Sequence, residues 1–443
     1  MRRYWRGLMG MILAGSMLAG CSSQPGGAER LTGNAGTTGS GTIQEQSEPL
    51  SAAGESMEPV RTQLEDGKGW DREDDNSYKA LQSFSQKLLL ENMDKENPLL
   101  SPVSAYLALG MVGMGAEGET LQEFQNMLGG NMPAVSRRVM ERYPQEQEGM
   151  TLTIANSAWV DQQLAPDGQW IADMEGIFKG EGYRGVLSSR EIMEQINSWC
   201  NENTRGLIPQ MLDEPLDADA RLALLDAIYF KGDWLVPFEA TDTMQRPFTR
   251  EDGTEKQVDT MSMWATNQRY LHSALGEGVL LPYQGGDFAY VAILPNEETE
   301  VRELYRQLTP EALTELLASE NRELCNLRLP KYEVSFDQML NDSLQAMGLV
   351  RAFDGELADF SGLGKTEQGY PLYISLVQQK AVFRLDEKGT EAAAVTMVVM
   401  DECEALIEPE PRELYFDRPF VYMILDLENQ VPLFVGIMDD PAN

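Results

Sequence analysis

Leu385-Asp386-Glu387-Lys388-Gly389-Thr390-Glu391-Ala392-Ala393-Ala394-Val395-Thr396-Met397-Val398-Val399-Met400 carries two opposed signals. Small residues after a glycine suit a flexible, exposed segment. Yet from Thr390 onward, the alternate positions Thr390, Ala392, Ala394, Thr396, Val398 and Met400 make one face of a strand that can enter a core. The next residues, Asp401-Glu402-Cys403-Glu404 and then Glu408-Pro409-Glu410-Pro411, have charges and prolines that a central strand excludes. A potential strand is thus joined to an exposed, cleavable loop. On physics alone, a plain buried strand ending in a turn accounts for the same residues equally well.

Outward from this stretch, residues 377–385 and 421–438 read as strands, as do 222–230 and 279–294, which are apolar enough to be buried. Residues 150–160 alternate, with Leu152, Ile154 and Ala158-Trp159 as landmarks, and 324–336 is strand-like. Helical spacing marks 77–91 through Leu81, Phe84 and Leu88, and also marks 192–200, 301–317 and 339–348. Ser101-Pro102-Val103-Ser104 opens a further apolar helix to Met114, with serine and proline placed to cap it. Helices come early and strands crowd toward the C-terminus, without repeats. The pattern is α+β with one large sheet system, not an alternating βαβ array.

The 443 residues include 35 basic and 71 acidic side chains, for a net charge of −36, and a single histidine. A chain this acidic has no basic stripe for a phosphate backbone, which argues against nucleic acid as a partner. His272 alone cannot build a multi-histidine metal site, so neither a metal nor another cofactor is expected; in its polar surroundings it reads as a surface residue. An apolar fraction of 42% is enough for a large packed core, and length alone suggests two or three domains.

Residues 1–21, MRRYWRGLMGMILAGSMLAGC, set Arg2, Arg3 and Arg6 before an apolar run that ends in small residues. That is the layout of a secretory signal, with a run short for a membrane span. Leu18-Ala19-Gly20-Cys21 resembles the lipobox of bacterial lipoproteins, in which the cysteine is lipidated and becomes the mature N-terminus; an uncleaved single-pass anchor is the alternative. Either way the rest of the chain is expected outside the cytoplasm; the preferred reading is a cell-surface lipoprotein held to the membrane through Cys21. Residues 22–75 are rich in Gly, Ser, Thr, Gln and Glu and read as a flexible tether, leaving 76–443 as the folded domain. Cys200, Cys325 and Cys403 are far apart with no C-x-x-C spacing, so a disulfide framework is not expected.

Enzyme signatures fail one by one. Gly113-Met114-Gly115-Ala116-Glu117-Gly118 satisfies G-x-G-x-x-G, but helical rather than strand-like sequence precedes it, so it reads as a glycine-rich helix end. G-x-S-x-G and S-x-x-K are absent. Cys403 lies between Glu402 and Glu404, whose charges oppose a thiolate. With 71 acids, chance carboxylate pairs are expected and a glycosidase has no specific support. The chain does not read as an enzyme.

Glu387-Lys388-Gly389-Thr390-Glu391-Ala392-Ala393-Ala394 resembles the hinge of the serpins, protease inhibitors whose reactive loop inserts into their own main sheet. Leu414-Tyr415-Phe416-Asp417-Arg418-Pro419-Phe420-Val421-Tyr422-Met423-Ile424 is similar to the family's C-terminal signature, with Pro432-Leu433-Phe434-Val435-Gly436 after it. Upstream, Asn97-Pro98-Leu99-Leu100-Ser101-Pro102-Val103-Ser104 and Ile196-Asn197-Ser198-Trp199 with Thr204 and Gly206 resemble family landmarks in order. So do Tyr229-Phe230-Lys231-Gly232-Asp233-Trp234, Leu329-Pro330-Lys331-Tyr332 and Asp359-Phe360-Ser361-Gly362-Leu363. The likeness runs from about Ser77 to Pro441.

The resemblance implies one α+β domain with three β-sheets, eight or nine helices and an exposed reactive-centre loop, in place of two or three domains. It implies a monomeric suicide inhibitor whose partner is a target protease of the serine or cysteine class. The protease cuts the loop, and residues 389–401 insert as a new central strand before the acyl-enzyme is hydrolysed. Gly389 lets the backbone bend, and the inserting face has neither bulk nor charge at Thr390, Ala392 and Ala394, which favours an active inhibitor over a storage or carrier relative.

Counted as in the family, with Gly389 as the first, the fifteenth residue is Cys403, giving Cys403–Glu404 as the reactive bond and an elastase-like serine or papain-like cysteine protease as the target. The stretch from there to Phe416 is about five residues longer than the family norm, a cheap difference in a loop. A slipped register moves the cut to Glu402 or Glu404 and points to a glutamate-specific protease, while Arg412–Glu413 would suit a trypsin-like one. In the sheet-opening cluster, Ser101, Ser104 and Asn197 match the family, but Gln379 stands where a histidine is usual. A non-inhibitory surface lipoprotein, acting as a binding module or protease substrate, is the competing expectation.

Overall fold

The computed structural model describes residues 29–31, 70, 77–143, 145–366, 372–390 and 410–442. The α-helices among them are α1 (Lys79–Leu90), α2 (Pro102–Gly113), α3 (Gly118–Leu128), α4 (Met132–Arg142), α5 (Gly168–Phe178), α6 (Arg190–Asn203), α7 (Val301–Gln307), α8 (Pro310–Ala318) and α9 (Asn341–Ala346). The first ten strands are β1 (Glu29–Leu31), β2 (Leu99–Leu100), β3 (Gln145–Gln147), β4 (Met150–Asp161), β5 (Leu164–Pro166), β6 (Glu181–Gly185), β7 (Leu222–Asp233), β8 (Met244–Thr249), β9 (Glu255–His272) and β10 (Gly276–Pro282). The others are β11 (Phe288–Pro295), β12 (Asn321–Pro330), β13 (Tyr332–Met339), β14 (Gly364–Thr366), β15 (Leu376–Asp386), β16 (Gly389–Thr390), β17 (Arg412–Tyr415), β18 (Phe420–Asp426) and β19 (Val431–Met438).

An eight-stranded sheet runs β1-β6-β4-β7-β16-β15-β13 with β3 beside β4, and a nine-stranded sheet runs β17-β12-β9-β10-β11-β18-β19-β2 with β8 beside β9. The third sheet is the pair β14-β5. The strands of the two large sheets interleave along the chain, so no single cut separates them. That is why the prior of two or three domains gives way to one.

The β7 side chains show how the layers are filled. Leu222, Leu224, Ile228 and Phe230 join the main core between the two large sheets and α1–α5. Ala223, Leu225 and Ala227 point the other way, into a smaller cluster with Ile192, Ile196 and Trp199 of α6. A strand buried on both faces is apolar at nearly every position, which is how 222–230 reads in sequence apart from Asp226. Helix α2 is buried at every position, so it is apolar all round. Ser101 caps it, and Pro102 occupies the first helical position.

Several expected elements divide where local chemistry demands. The 301–317 helix is two, α7 and α8, because Pro310 can only start a new helix. The 279–294 and 421–438 strands are hairpins, β10–β11 and β18–β19. The 324–336 strand breaks at Lys331, where the chain leaves the nine-stranded sheet as β12 and enters the eight-stranded one as β13. Within the segment expected to be tether, the backbone of Glu29–Leu31 pairs antiparallel with Gly182–Arg184 of β6, and Trp70 is buried in the main core.

Candidate functional site

Strand β7 has two very different edges. Against β4 it makes a continuous antiparallel register, from Met150↔Gly232 to Val160↔Leu222. Against β15 it pairs at only three parallel positions, Leu376↔Ala223, Val377↔Leu224 and Gln378↔Leu225. At the opposite end β16 is wedged between them: Thr390 pairs with Gly232 and with Leu385, and Gly389 with Asp233 and with Asp386. Between zipper and wedge, residues 226–231 of β7 and 379–384 of β15 have no ladder partner in each other. A small cavity lined by Phe230, Phe383 and Thr390 lies in that gap.

The wedge is held by specific contacts. A Cβ on Gly389 would lie 2.0 Å from the Gly232 carbonyl oxygen and 2.8 Å from Asp233 Cα, and its φ of +155° disfavours other residues. The Thr390 hydroxyl is buried and hydrogen-bonds the Tyr283 hydroxyl at 2.6 Å, while Tyr283 stacks on Trp234 with ring centroids 4.8 Å apart. Trp234 donates its backbone N–H to the Lys388 carbonyl at 2.7 Å and its indole N–H to the Asp386 carbonyl at 3.0 Å. Lys331 pairs with Glu387 at 2.9 Å, and the Thr243 hydroxyl donates to the other carboxylate oxygen of Glu387 at 2.8 Å. Burial opposes the Glu387 charge, but the Lys331 ammonium and the donors around the carboxyl outweigh it and hold the group below its ordinary value.

Where the zipper ends, Gln379 bridges three elements. Its Oε1 accepts from Ser101 N–H at 2.9 Å, and its Nε2 donates to the Ser101 carbonyl at 2.9 Å. The same Nε2 contacts both carboxylate oxygens of Asp226, at 3.3 and 3.4 Å. Asp226 is fully buried, and burial pushes it up to about 7 against the opposing effect of the Gln379 hydrogen bond. Ser104 donates its N–H to Ser101 Oγ, but its own Oγ is buried without a partner among the described residues. Asn156, opposite Asp226 in the β4–β7 ladder, is also buried, and neither of its side-chain polar atoms has a hydrogen-bond partner among the described residues.

The structure brings Ser101, Ser104 and Gln379 together and places Asn197 apart from them. It lies on α6, where its Oδ1 accepts from the N–H groups of Met211 and Leu212 at 2.7 and 2.8 Å and its Nδ2 donates to the Leu212 carbonyl. Its job is to fold the segment after α6 back onto the helix. Asp226 and Asn156 complete the polar cluster instead. Asp226 was visible in sequence as the lone charge in an apolar strand; Asn156 gave no such signal. Glu391, Ala392, Ala393, Ala394, Cys403, Glu404 and Cys21 lie outside the described residues.

Other expectations meet the structure directly. His272 is exposed, stacked against Tyr270. Cys200 and Cys325 are buried and free, and burial raises their thiols to about 12 and about 11. The glycines of the G-x-G-x-x-G match sit at the end of α2 and the start of α3. Arg412–Glu413 is part of β17, paired parallel with Cys325–Asn326 of β12, so its backbone is committed to a ladder rather than offered to a protease.

Comparison with known proteins decides the family. A family model described as serpin, serine protease inhibitor, matches residues 79–441. The chain belongs to the serpin family. Iripin-8 of Ixodes ricinus is 32% identical over 374 residues, covering 82% of this chain and 91% of the relative. Alpha-1-antiproteinase S of Cavia porcellus is 30% identical, covering 80% and 87%. The thermophilic serpin tengpin in its native state superposes with a TM-score of 0.77 at 29% identity, covering 84% of this chain and 96% of that one. In its latent state the same serpin gives 0.69. Membership makes protease inhibition the general activity of the fold and a protease its partner. Among the described residues, no group of three or more His, Cys, Asp or Glu side chains could hold a metal.

Proposed function

We propose that this serpin is a suicide inhibitor that traps a protease by inserting its own cut loop between β7 and β15. The supporting observation is that the two edges of the gap accept one strand in one register. Continued antiparallel from Thr390, that register brings Ala392 between Phe230 and Phe383, Ala394 between Ile228 and Ala381, and Thr396 between Asp226 and Gln379. The small residue Ala392 falls where two phenylalanines already crowd the slot, and the hydroxyl falls at the polar step of its core-facing side, Asp226 and Gln379. Residues 397–399 then take the places at which β7 and β15 now pair. Each new backbone hydrogen bond contributes about 1 kcal/mol, and this sum drives the displacement of the protease.

Cleavage is proposed at Cys403–Glu404, by an elastase-like serine protease or a papain-like cysteine protease, with Glu402 and Glu404 as neighbouring sites for a glutamate-specific enzyme. The leader argues for a lipid anchor on Cys21 that displays the inhibitor at the cell surface against host or neighbouring microbial proteases. Incubation with elastase-like, papain-like, glutamate-specific and trypsin-like proteases tests the proposal. An SDS-stable band at the summed mass is expected, with the released C-terminal peptide beginning at Glu404. Clean cutting without such a band for every protease would make the chain a substrate. Acyl-chain labelling in a bacterial host, lost in Cys21→Ser, tests the anchor separately.

A further inference from the structure

Three aspartates among the described residues are no more than 1% exposed, Asp226, Asp426 and Asp440. Two of them have cations. Asp426 pairs with Arg142 at 3.2 Å, and Asp440 with Arg250 at 2.7 Å and Lys256 at 2.5 Å. Asp226 has none: its hydrogen-bond partner among the described residues is Gln379 Nε2, at the long distances of 3.3 and 3.4 Å.

The elements packed around Asp226 supply no countercharge. From β4 comes Asn156, from β15 Gln379, and from the start of α2 the Ser101–Ser104 turn. From α6 comes Cys200, whose thiol is raised by burial and, in smaller part, by the Asp226 charge itself. The nearby Lys380 ammonium is turned outward, to Asp337 and the Gln210 carbonyl. Among the described residues, a carboxylate in this position faces neutral groups, directly beside the last rung of the three-rung zipper.

We propose that Asp226 and Gln379 form a proton-controlled latch on the β7–β15 seam: the protonated carboxyl keeps the seam closed, and loss of its proton loosens it. Linkage sets the sign. In the closed seam the group holds its proton up to about pH 7, whereas in an opened, wetted seam it reverts toward its ordinary value near 3.8. The closed form therefore binds more protons. Its advantage is full below the ordinary value, declines as pH rises, and is gone above about 7. A serpin with this latch inserts its loop more readily at neutral pH than in acid.

The latch rests on seam opening as the step that inhibition uses, but opening can be read without any protease. Hydrogen exchange of segments 222–228 and 376–380 is measured on the full, uncut chain at pH 5.5 and 8.5, each time as the ratio of wild type to Asp226→Asn. Intrinsic exchange rates cancel in that ratio. It is expected to rise by roughly thirtyfold between the two pH values; an equal ratio at both overturns the latch. Gln379→Met, which removes the donor on the carboxylate, is expected to move the wild-type transition to higher pH, and an unmoved midpoint also overturns it. A moving ratio in a chain that traps no protease would instead leave the latch standing and remove the inhibitor proposal.

Discussion

The two edges of β7 differ in almost every respect that determines strength. Toward β4 the ladder is unbroken over the whole strand, and side chains from both faces enter packed cores. Toward β15 there are three rungs, a gap and a two-residue wedge. One strand thus belongs to a rigid sheet on one side and to an unfinished sheet on the other. A sheet can store free energy in this way because backbone groups left unpaired along the gap carry a cost that a complete ladder would remove.

The largest test is to complete the unfinished edge. Cutting the loop within 391–409 should let it insert and raise the melting midpoint by roughly 20 °C, since about a dozen new hydrogen bonds at ~1 kcal/mol each shift the midpoint by ~2 °C per kcal/mol. Scanning calorimetry of cut against uncut protein reads this. An unchanged midpoint would mean that the gap does not accept the loop.

Removing the wedge comes next. Gly389→Val drives a side chain into the Gly232 carbonyl and the Asp233 backbone, so the top of the seam has to shift. A loss of about 2–4 kcal/mol in denaturant unfolding is expected, together with fewer trapped complexes per loop cut. Full stability would mean that β16 is not fixed between β7 and β15.

The buried aspartates sharpen the contrast chemically. Asp426 joins β18 to Arg142, to the Tyr143 hydroxyl at 2.9 Å and to Asn429, all in the closed part of the fold. Asp426→Ala should cost about 3 kcal/mol at pH 7, because a guanidinium and a phenol lose their acceptor together. Asp226→Asn at pH 8 should cost nothing or stabilise by about 1 kcal/mol, because it removes a desolvated charge that no cation offsets. Equal losses in the two variants would erase the distinction between a locked and a latched edge.

How far the sequence carried these conclusions depends on the range of the interaction. The apolar run of β7 and the alternation of β4 were legible because burial on one or two faces imprints itself on every residue of a strand. Pro310 and the passage of the chain between sheets at Lys331 break elements that apolar spacing alone extends. Helices α3 and α5 keep helical spacing through Leu121, Phe124 and Leu128 of the one and Trp170, Met174 and Ile177 of the other, but short helices of this kind carry a weaker signal than the long apolar runs. Asn197 lies apart from Ser101 and Gln379 for a different reason. Its partners lie 14 and 15 residues further on, and nothing local distinguishes an asparagine that holds a returning segment from one that lies beneath a sheet. Asp226 is the reverse case: its signal, a single charge in the apolar run 222–230, stands in the sequence, although the reading of that run as a buried strand does not use it.

The smallest effect concerns the ion pair at the wedge. Lys331 is 42% exposed and Glu387 15%, so solvent screens much of their attraction, and Glu387→Gln should cost less than about 1 kcal/mol at pH 7. Its pH dependence has the opposite sign to that of Asp226. The folded protein holds Glu387 below its ordinary value of 4.5, so its contribution is present above that value and disappears as pH falls through the depressed one. Acid therefore weakens the wedge while it tightens the latch. Unfolding curves of wild type and Glu387→Gln should converge only well below pH 4.5. If they converge near pH 7 instead, both carboxyls titrate in the same window, and the two ends of the seam do not answer to pH in opposite directions.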